Sequence, residues 1–210
     1  MPTLRDRRRR ELRADIAAHA LRLFAADGFD QVSVERVAEA AGISRRTFFT
    51  HFASKEDVVA HGANDDLRFL ADGLEAHAEQ AGQAGQDGQA GGGFAAALRA
   101  SAPAWVAGAG EHAERRALRA RIESMQPRVR AAVREQRFAG LYEVALPHIA
   151  ADLRRPADDP LVAMATGAFA GLGLAIDDVM QEGRVDAAGA VEDGIVALAG
   201  MLDAVRALPA

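Results

Sequence analysis

The chain has 210 residues, half of them hydrophobic and 26% charged, and no cysteine; one or two domains with real cores fit, while disulfides, thiolate metal sites and thiol redox chemistry are excluded. Aromatic residues make up only 5%, and with alanine and leucine dominant the composition favours helix over sheet. The formal charge of −5 hides an asymmetry: residues 1–55 carry 11 Lys+Arg against 7 Asp+Glu, a net +4, and the rest carries 14 against 23, a net −9, which is the footprint of a module that meets a polyanion with one end only.

At the N-terminus, Arg5 and Arg7 to Arg10 form a charge run, read either as a solvated tail or as an arm for DNA phosphates or the minor groove. Leu12, Ile16, Ala20, Leu23 and Phe24 then mark one face of a helix that stops at Gly28. From Ser33 to Lys55 the text SVERVAEAAGISRRTFFTHFASK has helix-turn-helix grammar. Val34, Val37, Ala38 and Ala41 recur at helical spacing, Gly42 supplies the turn, and Ile43, Phe48 and Phe52 give the second helix its apolar side. Ser33, Ser44 and Ser54 stand where N-caps belong. The Ser44 cap makes Arg45, Arg46 and Thr47 the opening of a recognition helix, the part that meets base edges in the major groove. Thr50, His51 and Lys55 are expected to hold the phosphate backbone, with Lys55 exposed beside a helix N-terminus opened by Ser54 and Asp57.

From about Arg10 through Val59, the order AADGFD, VERVAEAAGIS, TFFTHF and SKEDV resembles the N-terminal domain of TetR-family transcriptional regulators. That resemblance covers about a quarter of the chain. It implies a dimer that binds a palindromic operator and releases it when a small molecule binds the body, with repression relieved by ligand as the default. The family usually has tyrosine where Phe49 stands, with its hydroxyl on a phosphate; phenylalanine cannot make that contact. The RRTFF wording also resembles a subgroup with acyl-CoA-responsive members.

Beyond Ser54, Leu67, Leu70, Leu74 and Ala78 continue a helical stripe. Residues 81–93, AGQAGQDGQAGGG, read as a flexible loop, since no strand precedes them to make a phosphate cradle. Phe94, Leu98, Ala102, Trp105 and Val106 form the next apolar face, interrupted by Pro103. An arginine-rich helix spans Glu111 to Met125. Pro127 opens a long helix toward Leu153, bent at Pro147, and 154–160 is a loop. Leu161 to Ile176 is almost wholly apolar, yet it falls short of the roughly 20 residues of a membrane span. Val191, Ile195, Leu198, Leu202 and Val205 then form a seam suited to a four-helix interface.

The expectation is an all-α protein: a three-helix helix-turn-helix DNA-binding domain over 1–58, and a larger helical effector-binding and dimerisation domain over 59–210. Its partners are double-stranded operator DNA, a second copy joined through the last two helices, and a hydrophobic effector, acyl-CoA-like by the subgroup resemblance. Trp105, Phe138, Tyr142, His148 and Phe169 are expected to line the effector pocket, as most of the aromatics beyond the head. No cofactor or metal site is expected, because the six histidines form no ligand pair. The arginine-rich start leads into an amphipathic helix and not a secretory signal, so the cytoplasm is the expected compartment. An enzyme is disfavoured by the lack of a nucleophile elbow or a Ser-His-Asp set. An architectural DNA-binding protein without an effector would not need so large an acidic body.

Overall fold

The structure, a computed structural model, describes residues 4–84, 93–111, 113–181 and 187–208, with the side chains of 6, 81–84, 105–111, 113, 180–181 and 187–188 outside that description. Within them lie ten α-helices and no strand: α1 (Leu4–Asp27), α2 (Val34–Ala40), α3 (Arg45–His51), α4 (Lys55–Ala60), α5 (Leu67–Ala84), α6 (Phe94–Glu111), α7 (Ala113–Met125), α8 (Pro127–Leu153), α9 (Pro160–Gln181) and α10 (Ala187–Arg206). The all-α expectation holds. Arginine is a good helix former, so the basic run is the first turns of α1 and not an extended tail. Of the loop expected at 81–93, residues 81–84 are the end of α5 and 85–92 lie outside the described residues.

The chain forms two compact units: Met1–Asn64 with His112–Gln136, and Asp65–Glu111 with Arg137–Ala210. The division at 58/59 expected from sequence takes no account of residues 112–136. They belong to the first unit because Ile122 of α7 and Val129 and Val133 of α8 pack into one core with Ile16, Leu21, Phe24, Phe29, Val32, Val37, Phe48, Phe52, Val58 and Val59.

The second unit is built on α5, α6, the rest of α8, α9 and α10, around Leu70, Leu74, Phe94, Leu98, Leu141, Ile149, Val162, Phe169, Ile195, Leu198 and Leu202. Gly73 lets α5 and α6 cross closely, since a Cβ there would stand 2.3 Å from Ser101 Cβ. The buried Ser101 hydroxyl donates back to the carbonyls of Ala97 and Leu98. α8 runs through Pro147 unbroken; the proline sits on the exposed face, where water can satisfy the carbonyl that loses its donor.

α9 has 22 residues, so the length argument against a membrane span fails: Pro160–Val179 is long and apolar enough to cross one. Its composition has another source. Val162, Ala165, Phe169 and Ala170 are core residues of the second unit, and Asp177 further along α9 accepts from the buried Arg137 at 2.9 Å.

Arg137 also makes a two-pronged contact with Asp66 at 2.6 and 2.8 Å, tying the chain before α5 to α8 and α9. Burying a guanidinium costs several kcal/mol, and such a group is tolerated only with its partners in place. Here the two carboxylates outweigh the desolvation that would lower it, and the arginine's pKa is raised. Arg99 and Glu192, by contrast, pair at 2.8 Å with both side chains about half exposed. We expect Asp66→Ala to cost about 3–5 kcal/mol in urea unfolding and Glu192→Ala less than about 1 kcal/mol. Equal costs would show that the buried cluster is no more than another surface pair.

Candidate nucleic-acid interface

The three short helices of the head, α2, α3 and α4, each start on a serine. Ser33 Oγ accepts from Arg36 N at 3.2 Å, Ser44 Oγ from Thr47 N at 3.0 Å and Ser54 Oγ from Asp57 N at 3.1 Å. Asp57 returns a carboxylate oxygen to Ala53 N at 2.9 Å, closing the cap that the sequence announces. Gly42 has a φ of +67°, the left-handed conformation needed for the turn between α2 and α3. Phe48 and Phe52 are buried and anchor the inner side of α3.

On the outer side, Arg45, Arg46, Phe49 and Thr50 are exposed together, beside the half-buried Thr47. Arg45 pairs with Glu35 of α2 at 2.7 Å, and its guanidinium lies 5.1 Å from the centre of the Phe49 ring. Thr47 Oγ1 shares a hydrogen bond with Ser44 Oγ at 2.8 Å, and Thr50 Oγ1 donates to Arg46 O at 3.0 Å. Arg7 to Arg10 of α1 are also exposed.

His51 and Lys55 are placed differently from the sequence expectation. Lys55 is half-buried. Its ammonium donates to Phe29 O at 2.7 Å and Val32 O at 3.0 Å and lies 4.5 Å from the Phe29 ring centre. It therefore ties α4 to the turn after α1 from within the unit. His51 is held below its usual pKa by burial and then by the charges of Arg13 and Arg9, so at neutral pH it is an uncharged imidazole, and its Nδ1 is buried without a partner.

Two residues that sequence reasoning missed complete the frame. Arg13 of α1 donates to His51 O and stacks 4.3 Å from the Phe52 ring centre. The buried Arg119 of α7 donates to Val59 O at 2.9 Å and His61 O at 3.0 Å, a cation at the C-terminal carbonyls of α4. Neither carries a sequence signal, because each partner lies far along the chain.

Four of the five expected effector residues have described side chains. Phe138 is 37% exposed and stacks on Tyr142, with ring centres 6.3 Å apart. His148, half-buried, has its pKa lowered by burial and partly restored by Glu75. The side chain of Trp105 lies outside the described residues. Of the four whose side chains are described, Phe169 lines an apolar cavity of the second unit, with Leu70, Leu98, Leu141, Leu172 and Ile195, and that space is only about 30 Å³. Among the described residues no cluster of His, Cys, Asp and Glu suits a metal ion.

With this geometry in view, residues 16–61 match the tetR family of bacterial regulatory proteins. The head is a TetR-family helix-turn-helix domain. Among similar proteins, the HTH-type transcriptional regulator TcmR of Streptomyces glaucescens is 49% identical over 57 residues, 27% of this chain and 25% of that one. The mycofactocin biosynthesis transcriptional regulator MftR of Mycobacterium tuberculosis, so named provisionally, is 50% identical over 52 residues, 25% of this chain and 26% of that one. The HTH-type transcriptional repressor AcnR of Corynebacterium jeikeium is 32% identical over 72 residues, 34% and 38% respectively. The chain thus spans about a quarter of the length of the first two relatives, and the likeness to them is that of the TetR-family head.

The interior position of Lys55 sets an expectation. Hydrogen bonds from a charged donor are worth roughly 1.5–3 kcal/mol, so Lys55→Met should destabilise the protein by about 2 kcal/mol in urea, read by circular dichroism. Arg46→Ala on the exposed face should stay within about 0.5 kcal/mol. A stable Lys55→Met protein would return Lys55 to the set of surface cations.

Proposed function

We propose that this protein is a DNA-binding transcriptional regulator, in the default case a repressor, working in the cytoplasm as a homodimer on a palindromic operator. The observation that carries the reading is the outer side of α3. A capped helix of a TetR-family domain presents Arg45, Arg46 and Thr47, while its opposite side is fixed by Phe48 and Phe52. In this reading the two arginines meet base edges, where a bidentate pair with guanine is worth roughly 1–3 kcal/mol of discrimination. Ser33, Ser44, Thr50 and the arginines of α1 then set the register on phosphates. His51, uncharged, and Lys55, already bonded within the unit, act mainly by holding α3 and α4 in place.

Dimerisation is assigned to α9 and α10. Met164, Ala168, Gly171 and Ala175 lie exposed along one stripe of α9, and Val196, Gly200 and Ala204 along α10, with Met164 70% and Val196 58% exposed. Such a contiguous apolar strip in a soluble protein calls for a partner surface. A Cβ at Gly167, Gly171 or Gly200 would meet nothing within 4 Å, so closeness at these positions can serve only an outside helix. Gly173 instead faces Leu141, whose Cδ1 would stand 2.8 Å from an added Cβ.

For the effector, the cavity beside Phe169 is the starting point. An apolar ligand of ordinary size needs roughly 300–1,000 Å³, so it would select a conformation in which this cavity is open, and by that differential affinity shift the population away from the DNA-binding one. An acyl chain suits the lining of leucine, isoleucine and phenylalanine.

Selection from a random DNA pool tests the reading. A palindromic winner is expected, with half-sites about one helical turn, roughly 34–36 Å, apart or a multiple of that. Arg46→Ala should relax its sequence preference, whereas loss on all sequences alike would remove α3 from base reading. Release of that operator by long-chain acyl-CoA distinguishes a regulator from an architectural protein, whose complex no small molecule would move. Gly171→Leu should leave the protomer folded and give monomers in sedimentation, with operator affinity lost; an intact dimer would place the seam elsewhere.

A further inference from the structure

We propose that Phe49 is a specificity residue of the recognition helix: its ring packs on the C5-methyl of a thymine next to the guanine read by Arg45. The proposal rests on the DNA-binding reading above and adds to it the base step that is recognised.

The argument begins with where the ring is. Phe48 and Phe52 fill the core side of α3, but Phe49 is 45% exposed. It is not loose, since Phe48 meets it edge-on at 5.4 Å and 84°. A phenyl ring has no donor for a phosphate oxygen, so on this face it can contribute only apolar contact. In the major groove the apolar feature that carries sequence information is the thymine methyl, for which phenylalanine is a known kind of partner.

Arg45 fixes the neighbour. Residues i and i+4 lie over one another on a helix, their Cβ atoms roughly 5–6 Å apart, and here the Arg45 guanidinium is 5.1 Å from the Phe49 ring centre. Glu35 holds that guanidinium at 2.7 Å. A carboxylate engages at most two of the five guanidinium donors, and an ion pair this exposed, with side chains 64% and 61% accessible, is held weakly. It can orient Arg45 in the free protein and give way to guanine. Successive bases on one strand are about 3.4 Å apart, so a ring and a guanidinium at this separation suit adjacent base pairs. The unit recognised is a thymine beside a guanine.

Deoxyuridine provides the test, because it keeps every hydrogen-bonding group of thymine and lacks the methyl. With the operator obtained by selection, each thymine is replaced in turn by deoxyuridine. One position per half-site, next to a guanine, should weaken wild-type binding by about four-fold, the equivalent of one buried methyl group. Phe49→Ala should bind the thymine and deoxyuridine forms of that site equally. Because the ring is exposed, this variant should keep the wild-type helix content and melting temperature. Arg45→Ala should lose preference at the neighbouring guanine and retain the methyl effect. The proposal is overturned if no thymine shows the effect, or if the effect survives in Phe49→Ala, while a specific operator is still bound. If selection yields no specific DNA at all, the regulator reading falls and this proposal falls with it.

Discussion

The helix-turn-helix depends on three cations that donate hydrogen bonds to main-chain carbonyls. Helix ends leave carbonyls without partners, and a buried end without a cap is costly. In the head these groups are met from a distance: Lys55 reaches Phe29 O and Val32 O, Arg13 reaches His51 O, and Arg119 reaches Val59 O and His61 O. Each charge serves a helix end or turn other than its own. The short helices α2, α3 and α4, of 7, 7 and 6 residues, are too short to persist alone in water, where isolated helices below about 12–15 residues are marginal. Core packing supplies the hydrophobic part of their stability, and the carbonyl-bound cations fix their mutual angles. This is how a basic segment can hold charge inward for structure and still present Arg45 and Arg46 outward.

The second unit solves a different problem. Its helices are long enough to stand, and its material is alanine, glycine and leucine, which pack closely but specify register weakly. The Arg137 cluster with Asp66 and Asp177 supplies direction that apolar contact lacks, because a guanidinium accepts carboxylates only in the plane of its fork. One side of α9 is spent on the core and the other is apolar and open. The composition that makes α9 long and apolar enough for a bilayer also suits the proposed dimer, in which both sides of the helix would be covered by protein.

Much of the head was legible in the sequence, because its signals are local. Ser33, Ser44 and Ser54 bond within three residues, Gly42 marks its own turn, and Phe48 and Phe52 declare the inner side by spacing. The phosphate role expected of Lys55 was read from its neighbours alone, and the ammonium turned inward because carbonyls 23 and 26 residues away needed it. Arg119 and Arg137, bound to partners 60 and 71 residues away, had no visible mark among 25 Lys and Arg. The effector residues illustrate a further limit. Scarcity of aromatics says that each matters, not where it points: Phe138 and Tyr142 stack with each other on α8, while Phe169 turns to Phe94 at 5.3 Å.

The first unit extends beyond the matched stretch by residues 112–136. The matched stretch ends at residue 61, yet Ile122, Val129 and Val133 complete the core under α1 and α4, Gln126 donates to Asp30 at 2.9 Å and Asn64 to Gln136 O at 3.0 Å. A head ending at 61 would expose that core and leave Val59 O and His61 O without Arg119. The chain passes between the units three times, once inside α8. The frame that holds α3 is therefore built partly from sequence that lies outside the family match.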